Sequence, residues 1–100
     1  MPYESEFAAL SHPTRQHILD LLAEGPRTVR ALTEQIEVSQ PRMSQHLKVL
    51  LDAGLVSATP DGAKRVYTLQ AERLQALRHF LMDHWQSSLS NLTDQETPDA

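Results

Sequence analysis

Residues 39–50, SQPRMSQHLKVL, carry the strongest structural signal in this chain. Ser39 is a residue type that caps helix N-termini, and Pro41 suits a first helical turn, where a backbone N–H has no intrahelical partner. Apolar residues then recur at helical spacing, which predicts one buried face: Met43, Leu47 and Leu50. We therefore predict a helix over residues 40–53 whose other faces are polar.

A second short helix is predicted directly before this one. Thr28 is a plausible N-cap, and Val29, Leu32 and Ile36 form an apolar stripe. Because only a few residues separate the two segments, they fit a helix-turn-helix. An earlier helix begins within residues 11–14, which include Pro13, and ends at Gly25-Pro26; residues 5–10 fit a short leading helix.

The pattern changes after Gly54, where two short strand-like runs follow. Residues 55–59 and 65–69 read as strands, and Asp61-Gly62 between them is a tight-turn pair. The result is a β-hairpin with Lys64 and Arg65 near its tip. The predicted fold class is mainly α with a small β-hairpin, a winged helix-turn-helix.

The last predicted element is a long helix from Ala71 to about Leu92. Its apolar stripe follows steps of three and four residues and contains Leu74, Leu77, Leu81, Trp85 and Leu89. At about 30 Å this helix exceeds what so small a domain needs for its own core. We predict a homodimer through this stripe, and packing along the chain's own domain is the alternative. The domain spans residues 1–92, and residues 93–100 form an acidic tail expected to be disordered.

Composition narrows the functional classes. The chain has 100 residues, enough for one domain, and it has no cysteine, which excludes disulfides and thiolate metal sites. The first seven residues lack the basic start of a secretion signal, so a cytoplasmic protein without a membrane partner is expected. No catalytic triad, carboxylate pair or phosphate-binding glycine loop is present, so an enzyme is not expected.

Charge is distributed unevenly along the chain. The net charge is −4, yet residues 27–65 contain six basic and four acidic side chains. Local charge decides where a polyanion docks, and this segment contains the helix-turn-helix and the hairpin. The pattern favours double-stranded DNA as a partner. A winged helix used as a protein-interaction module is the alternative, and it would need an acidic or apolar face there.

Three segments resemble the ArsR/SmtB family of bacterial repressors: residues 9–22 (ALSHPTRQHILDLL), residues 39–50, and the wing around residues 64–67 (KRVY). The resemblance covers roughly residues 6–92. It implies a homodimeric winged helix that binds an inverted repeat near a promoter and represses. Operator sequence, regulated genes, inducer and the choice between repressor and activator are not determined by the residues.

The candidate DNA-binding residues lie on the predicted recognition helix and at the wing: Ser39, Gln40, Arg42, Ser44, Gln45, His46, Lys48, Lys64 and Arg65. Arginine and glutamine side chains suit base edges, whereas lysine and a helix N-terminus suit phosphates. Structural alternatives stay open: Ser39 as a plain cap, His46 as helix cover, and the wing cations as solubilising groups. Thr28 and Arg30 are further phosphate candidates, although Arg30 can also pair with Glu34.

Metal sensing is a second functional possibility. In the family resembled, one metal site uses two cysteines before the recognition helix, and those positions hold Thr28 and Arg30, which implies the branch without that site. His79 and Asp83 are four residues apart on the long helix, with His84 adjacent. A nickel or zinc site there is the alternative to a regulator that needs no cofactor.

Overall fold

A computed structural model describes residues 2–95, with side-chain surroundings through residue 84. The elements in chain order are α1 (Glu4–Leu10), α2 (Pro13–Glu24), β1 (Arg27–Thr28), α3 (Val29–Gln35), α4 (Gln40–Asp52), β2 (Val56–Asp61), β3 (Lys64–Leu69) and α5 (Ala71–Gln95). This order is a winged helix-turn-helix, as the sequence predicts. No helix in the described part of the chain has an apolar stretch that could span a membrane.

The core is built around the recognition helix α4. Its predicted buried row is confirmed, since Met43, Leu47 and Leu50 have no exposed surface. They pack with the inward residues of α2, α3 and the wing: Ile18, Leu22, Leu32, Leu55 and Tyr67. Burial of such side chains contributes about 1.5–3 kcal/mol each, so this cluster fixes which face of α4 points outward.

The helix starts follow from capping groups in the sequence. Ser39 Oγ accepts a hydrogen bond from Arg42 N at 3.3 Å, and Thr28 Oγ1 accepts one from Ala31 N at 3.1 Å. Both predicted caps are confirmed. The cap of α2 is His12, whose Nδ1 accepts from Thr14 N at 3.1 Å, and Pro13 then occupies the first turn.

The wing is a three-stranded sheet in the order β1-β3-β2, whereas the sequence predicts two strands. The added strand β1 pairs Arg27 with Tyr67 and Thr28 with Val66. Two residues are too few for an alternating pattern, so only the tertiary structure reveals this strand. It ties the start of α3 to the wing.

The turn of the wing is displaced by one residue from the predicted pair. Asp61 pairs with Lys64, so the two loop residues are Gly62 and Ala63. Gly62 has φ +65°, whereas Ala63 has no positive φ. This fits a type II′ turn, which places glycine first and matches the twist of the strands. Lys64 and Arg65 therefore begin the returning strand, directly beyond the tip.

Helix α5 continues to Gln95, three residues beyond the predicted end. The predicted tail residues 93–95 thus belong to the helix, because the sequence has no glycine or proline before Pro98 to end it. The rest of the predicted tail, residues 96–100, lies outside the described residues.

An arginine joins three helical segments at the far end of the domain. Arg73 of α5 donates from Nη1 to Glu6 Oε2 of α1 at 3.2 Å, and the Glu6 side chain is buried. The same guanidinium lies against Gly54, which follows α4 with φ +76°. A Cβ built at Gly54 would stand 2.8 Å from Arg73 Nη2. Glycine is therefore needed there both for its backbone conformation and for the approach of Arg73.

Replacing Gly54 with alanine is expected to destabilise the fold by more than the about 1–2 kcal/mol that a left-handed backbone costs an L-residue. The added methyl group must also displace Arg73, which holds the buried Glu6 carboxylate. Urea unfolding measures the change. Gly62→Ala is the matched control, because Gly62 has φ +65° and no atom within 4 Å of a built Cβ. Equal losses in the two variants would show that Arg73 moves away without cost.

Candidate nucleic-acid interface

The outward face of α4 carries five of the predicted DNA-binding residues. The side chains that are exposed to solvent are Gln40, Arg42, Ser44, Gln45 and Lys48. They surround the helix on the sides away from the buried row. The face offers guanidinium, amide, hydroxyl and ammonium groups at the surface of a rigid helix, which can donate to base edges and phosphates.

The first turn of α4 adds a further property. Ser39 is exposed and uses its hydroxyl oxygen to cap the helix, so the prediction that Ser39 is the N-cap of α4 is confirmed. The hydroxyl hydrogen remains available as a donor because the cap uses only the oxygen as acceptor. The helix dipole makes this end partially positive, which favours an anion beside Ser39 and Gln40.

A cleft of about 340 Å³ separates the start of α4 from the wing. Its polar lining comes from four elements, β1, α3, α4 and β3, and comprises Thr28, Arg30, Gln40, Lys64 and Arg65. The short strand β1 is what brings Thr28 and Arg30 next to the wing cations. None of the described residues that line the cleft carries a carboxylate, so this lining is basic and fits the path of a nucleic-acid backbone.

Ion pairs near this face are weak. Lys48 Nζ lies 3.2 Å from Asp52 Oδ2, and Arg30 Nε lies 3.6 Å from Glu34 Oε2. Both pairs are exposed, and exposed pairs contribute about 0–1 kcal/mol. A phosphate can therefore replace either carboxylate at low cost.

His46 lies differently from the other predicted residues. It follows Met43 by three residues, which places it only about 60° around the helix from the buried row. It is half-buried against α2, with its ring centroid 4.6 Å from that of His12. Arg15 Nη1 lies 3.2 Å from His46 Nδ1. His46 thus contacts the body of the protein, as its interpretation as helix cover predicts, and its contact with DNA stays a prediction.

Burial lowers the pKa of His46, and the neighbouring His12, Arg15 and Arg42 lower it further. A neutral ring is favoured because protonation would add a charge to a site already surrounded by basic groups. This group of basic residues is not predicted from the sequence. The periodicity of α2 identifies only its apolar face and does not show what His12 and Arg15 contact.

The candidate metal ligands on α5 form a pair and no larger group. His79 Nε2 lies 3.8 Å from Asp83 Oδ2, and both are exposed. His84 turns back along the helix, with its ring stacked on Phe80 at 4.1 Å and Nδ1 3.2 Å from the Phe80 carbonyl oxygen. Among the residues that the structure describes, no three His, Cys, Asp or Glu side chains gather around a point that could hold a metal.

The predicted dimer stripe is divided between core and surface. Leu77 is only 2% exposed and Leu74 is half-buried, so both are largely covered within the chain itself, and the prediction is corrected for Leu77. Leu81 is 46% exposed, as is its neighbour Met82. The side chains of Trp85 and Leu89 lie outside the described residues. The exposed apolar surface of α5 therefore begins at Leu81, after the part of the helix in which Leu74 and Leu77 are covered by the chain.

The fold, the exposed basic face of α4 and the cleft beside the wing define a winged helix-turn-helix of the DNA-binding type. The profile of the family described as "Bacterial regulatory protein, arsR family" matches residues 12–58. The chain is 44% identical over 94 residues to the HTH-type transcriptional regulator Rv2034 of Mycobacterium tuberculosis, which covers 91% of this chain and 88% of that protein.

Two further comparisons agree with this assignment. The arsenical resistance operon repressor of Bacillus subtilis is 40% identical over 76 residues, covering 75% of this chain and 72% of the repressor. The solved structure of an ArsR-like transcriptional regulator from Rhodococcus sp. RHA1 superposes with TM-score 0.78 at 27% identity, covering 94% and 92% of the two chains. The chain belongs to the ArsR family of bacterial transcriptional regulators.

Proposed function

We propose that the protein is a homodimeric repressor that binds an inverted-repeat operator near a promoter. The observation that supports this best is the solvent-exposed row on α4, where the side chains of Arg42 and Gln45 have no hydrogen-bond or ion-pair partner among the described residues. Buried polar groups need partners, but exposed ones on a rigid helix are available to a ligand. In this proposal the protein acts in the cytoplasm, catalyses no reaction and needs no cofactor.

The roles of the side chains follow from their chemistry. Arg42 and Gln45 are assigned to base edges, because arginine pairs with guanine and glutamine with adenine in two-hydrogen-bond geometries. Ser44, which follows Arg42 by two residues, adds a hydroxyl group on the flank of α4 next to Gln45. Ser39, Gln40 and Lys48 are assigned to phosphates beside the helix start and flank.

The wing is assigned to the backbone of the same DNA segment. Lys64 and Arg65 of β3 line the cleft together with Thr28 of β1 and Arg30 of α3. Because these elements contribute basic and hydroxyl groups to one lining, a phosphate strand in this cleft would contact several of them at once. This contact would orient α4 in the major groove without reading sequence.

Dimer formation is proposed through α1 and α5. Tyr3, which precedes α1, and Phe7 of α1 pack against Phe80 of α5 with tilted rings, whose centroids lie 5.0 and 6.2 Å from that of Phe80. Leu81 and Met82 extend this aromatic patch with exposed apolar surface. Two copies related by a twofold axis would present two recognition helices, and half-sites about 34 Å apart would suit them.

Repression is the proposed outcome of binding. The Bacillus subtilis relative is named an operon repressor, and a dimer bound over a promoter blocks access to that DNA. The experiment that tests the proposal is fluorescence anisotropy on DNA from upstream of the protein's own gene, at about 150 mM salt because affinity depends on salt. One arm contains a chelator, and parallel arms contain nickel or zinc.

Tight, sequence-selective binding that is equal in all arms would support a regulator without a metal switch. A change of affinity with nickel or zinc would overturn the proposal that no cofactor is needed, and would make His79, Asp83 and His84 the residues to replace. Absence of selective binding, tested also on genomic fragments, would overturn the operator-binding proposal in favour of a protein-interaction module.

The double variant Lys64→Ala/Arg65→Ala is expected to weaken binding to all DNA sequences alike. Each lost phosphate contact lowers the slope of log affinity against log salt by about 0.9, so the slope should fall by about two. Anisotropy titrations at several salt concentrations measure it. Arg78→Ala, which removes an exposed cation from α5, is the control and should leave the slope unchanged. If the variant instead lost affinity only through its discrimination at one base pair, the wing would contact a base and not the phosphate backbone.

A further inference from the structure

Arg15 connects the leading helix to the recognition helix. Its Nε donates to the Ala9 carbonyl oxygen at 2.7 Å, and its Nη2 donates to the Ala8 carbonyl oxygen at 3.3 Å, both at the C-terminal end of α1. Its Nη1 faces His46 Nδ1 of α4 at 3.2 Å. Arg15 itself belongs to α2. One guanidinium therefore holds α1, α2 and α4 in a fixed relation.

The contact determines the protonation of His46. A guanidinium has only donors, so His46 Nδ1 must accept, and the ring must be neutral with its proton on Nε2. The charged or titratable groups that act on His46 are His12, the N-cap of α2, Arg15 from α2 and Arg42 from its own helix, all of them basic. The neighbouring α1 end contributes carbonyl oxygens that Arg15 already uses. A proton on Nδ1 would point at the guanidinium and break the hydrogen bond.

The neighbours of His46 are the residues assigned to base reading. Gln45 precedes it directly, and Arg42 lies one helical turn earlier. Since the side chains of α4 are rigidly related, a rotation of the helix that releases His46 also moves these two. A displacement of about 1 Å is enough to spoil paired hydrogen bonds to a base.

We propose that Arg15 and His46 are positioning residues for base reading: their hydrogen bond sets the rotation of α4 against α1 and α2, it forms only while His46 is neutral, and acidification therefore weakens selective binding. This inference rests on the proposed function, because it concerns how the same helix face is held. It gives His46 a role inside the protein in place of a DNA contact.

The direction with pH follows from the lowered pKa of His46. The unfolded chain binds this proton more readily than the folded one, so the stabilisation by the neutral ring is present above the ordinary pKa of about 6.5. It is lost as pH falls from there through the lower pKa of the folded state. Simple electrostatics predicts the opposite for DNA affinity, because newly charged histidines attract phosphates and strengthen binding to every sequence.

The test compares affinity for the operator with affinity for a scrambled duplex at pH 7.5 and pH 5.5, at constant salt. For the wild-type protein we expect the ratio to fall by about tenfold on acidification, which lies within the range for losing one paired hydrogen-bond contact to a base. His46→Asn places an amide oxygen where Nδ1 stood and does not titrate in this range. It should keep the ratio at pH 7.5 and lose the pH dependence.

Two more variants make the result specific. Arg15→Lys removes the guanidinium, so it should lower the ratio of operator to scrambled-duplex affinity at pH 7.5. This lowered ratio should then change little between pH 7.5 and pH 5.5. His17→Asn is the matched control, since His17 is an exposed histidine of the same helix α2, and it should behave as wild type. The melting temperature without DNA is recorded for each protein at both pH values. On acidification the melting temperature of the wild type should fall further than that of His46→Asn.

The outcomes are distinct. If His46→Asn keeps the pH dependence of the wild type, the inference is overturned. It is also overturned if this variant loses its sequence preference at a single base pair at pH 7.5, because His46 would then be a base contact. If wild type selects no DNA at either pH, the proposed function fails and the positioning role fails with it. The melting temperatures then still decide whether the neutral Arg15–His46 contact exists in the folded protein.

Discussion

The double variant Arg42→Ala/Gln45→Ala is expected to bind its operator about 100-fold more weakly or worse, while remaining folded. Each well-placed pair of hydrogen bonds to a base discriminates by about 1–3 kcal/mol, and two such residues are removed. Both side chains are exposed on α4, beside a buried row that the substitutions do not touch. Affinity for non-specific DNA should fall far less, because one cation of several is lost.

Anisotropy on the operator and on a scrambled duplex measures both effects, and the melting temperature verifies the fold. Gln35→Ala/Arg78→Ala is the matched control, because it removes the same two functional groups from exposed positions on α3 and α5. Operator affinity that survives the Arg42/Gln45 double variant would show that the recognition helix is placed wrongly, whatever the control does.

Leu81→Lys is expected to convert the proposed dimer into monomers and to weaken operator binding by about 100-fold or more. Two linked half-site contacts exceed a single one by about 10²–10⁴ in affinity, and that gain disappears when the copies separate. Leu81 is 46% exposed, so the chain can accommodate the lysine and fold. In a dimer the charge would be buried without a partner.

Sedimentation velocity at fixed protein concentration gives the oligomeric state, and anisotropy on a full site and on a single half-site gives the affinities. Ala76→Lys serves as the control, since the exposed Ala76 lies five residues earlier and about 140° around the helix from Leu81. Half-site affinity should be equal in both variants. A Leu81→Lys protein that remains dimeric would remove this face of α5 from the interface.

Helix α4 shows which features can be predicted from residues that are close together in the sequence. Its cap at Ser39, its buried row and its exposed Arg42 follow from residue types and the helical period alone, and the structure agrees on each. His46 shows the limit. The helical period allows it to lie beside the core, but only the position of α2 decides that it meets Arg15 instead of solvent.

The wing and α5 show the same division. The hairpin was predictable from its two apolar runs, while β1 was not, because a two-residue strand carries no periodic signal and exists only through pairing with β3. The stripe on α5 indicates apolar contacts without naming the partner. Leu77 is buried within the chain, whereas Leu81, one helical turn later, remains 46% exposed, so the packing of the chain decides which member of the stripe is covered.

Residue types and their spacing are enough to predict the winged helix-turn-helix order, the basic middle segment and the face of α4 that carries Arg42 and Gln45. These properties depend on the spacing of residues near one another in the chain. The tertiary structure alone decided the cleft between wing and recognition helix, the contact of Arg73 with Gly54 and the link from α1 through Arg15 to His46. Such contacts join residues far apart in sequence, so no local period records them, and packing of the core brings them together.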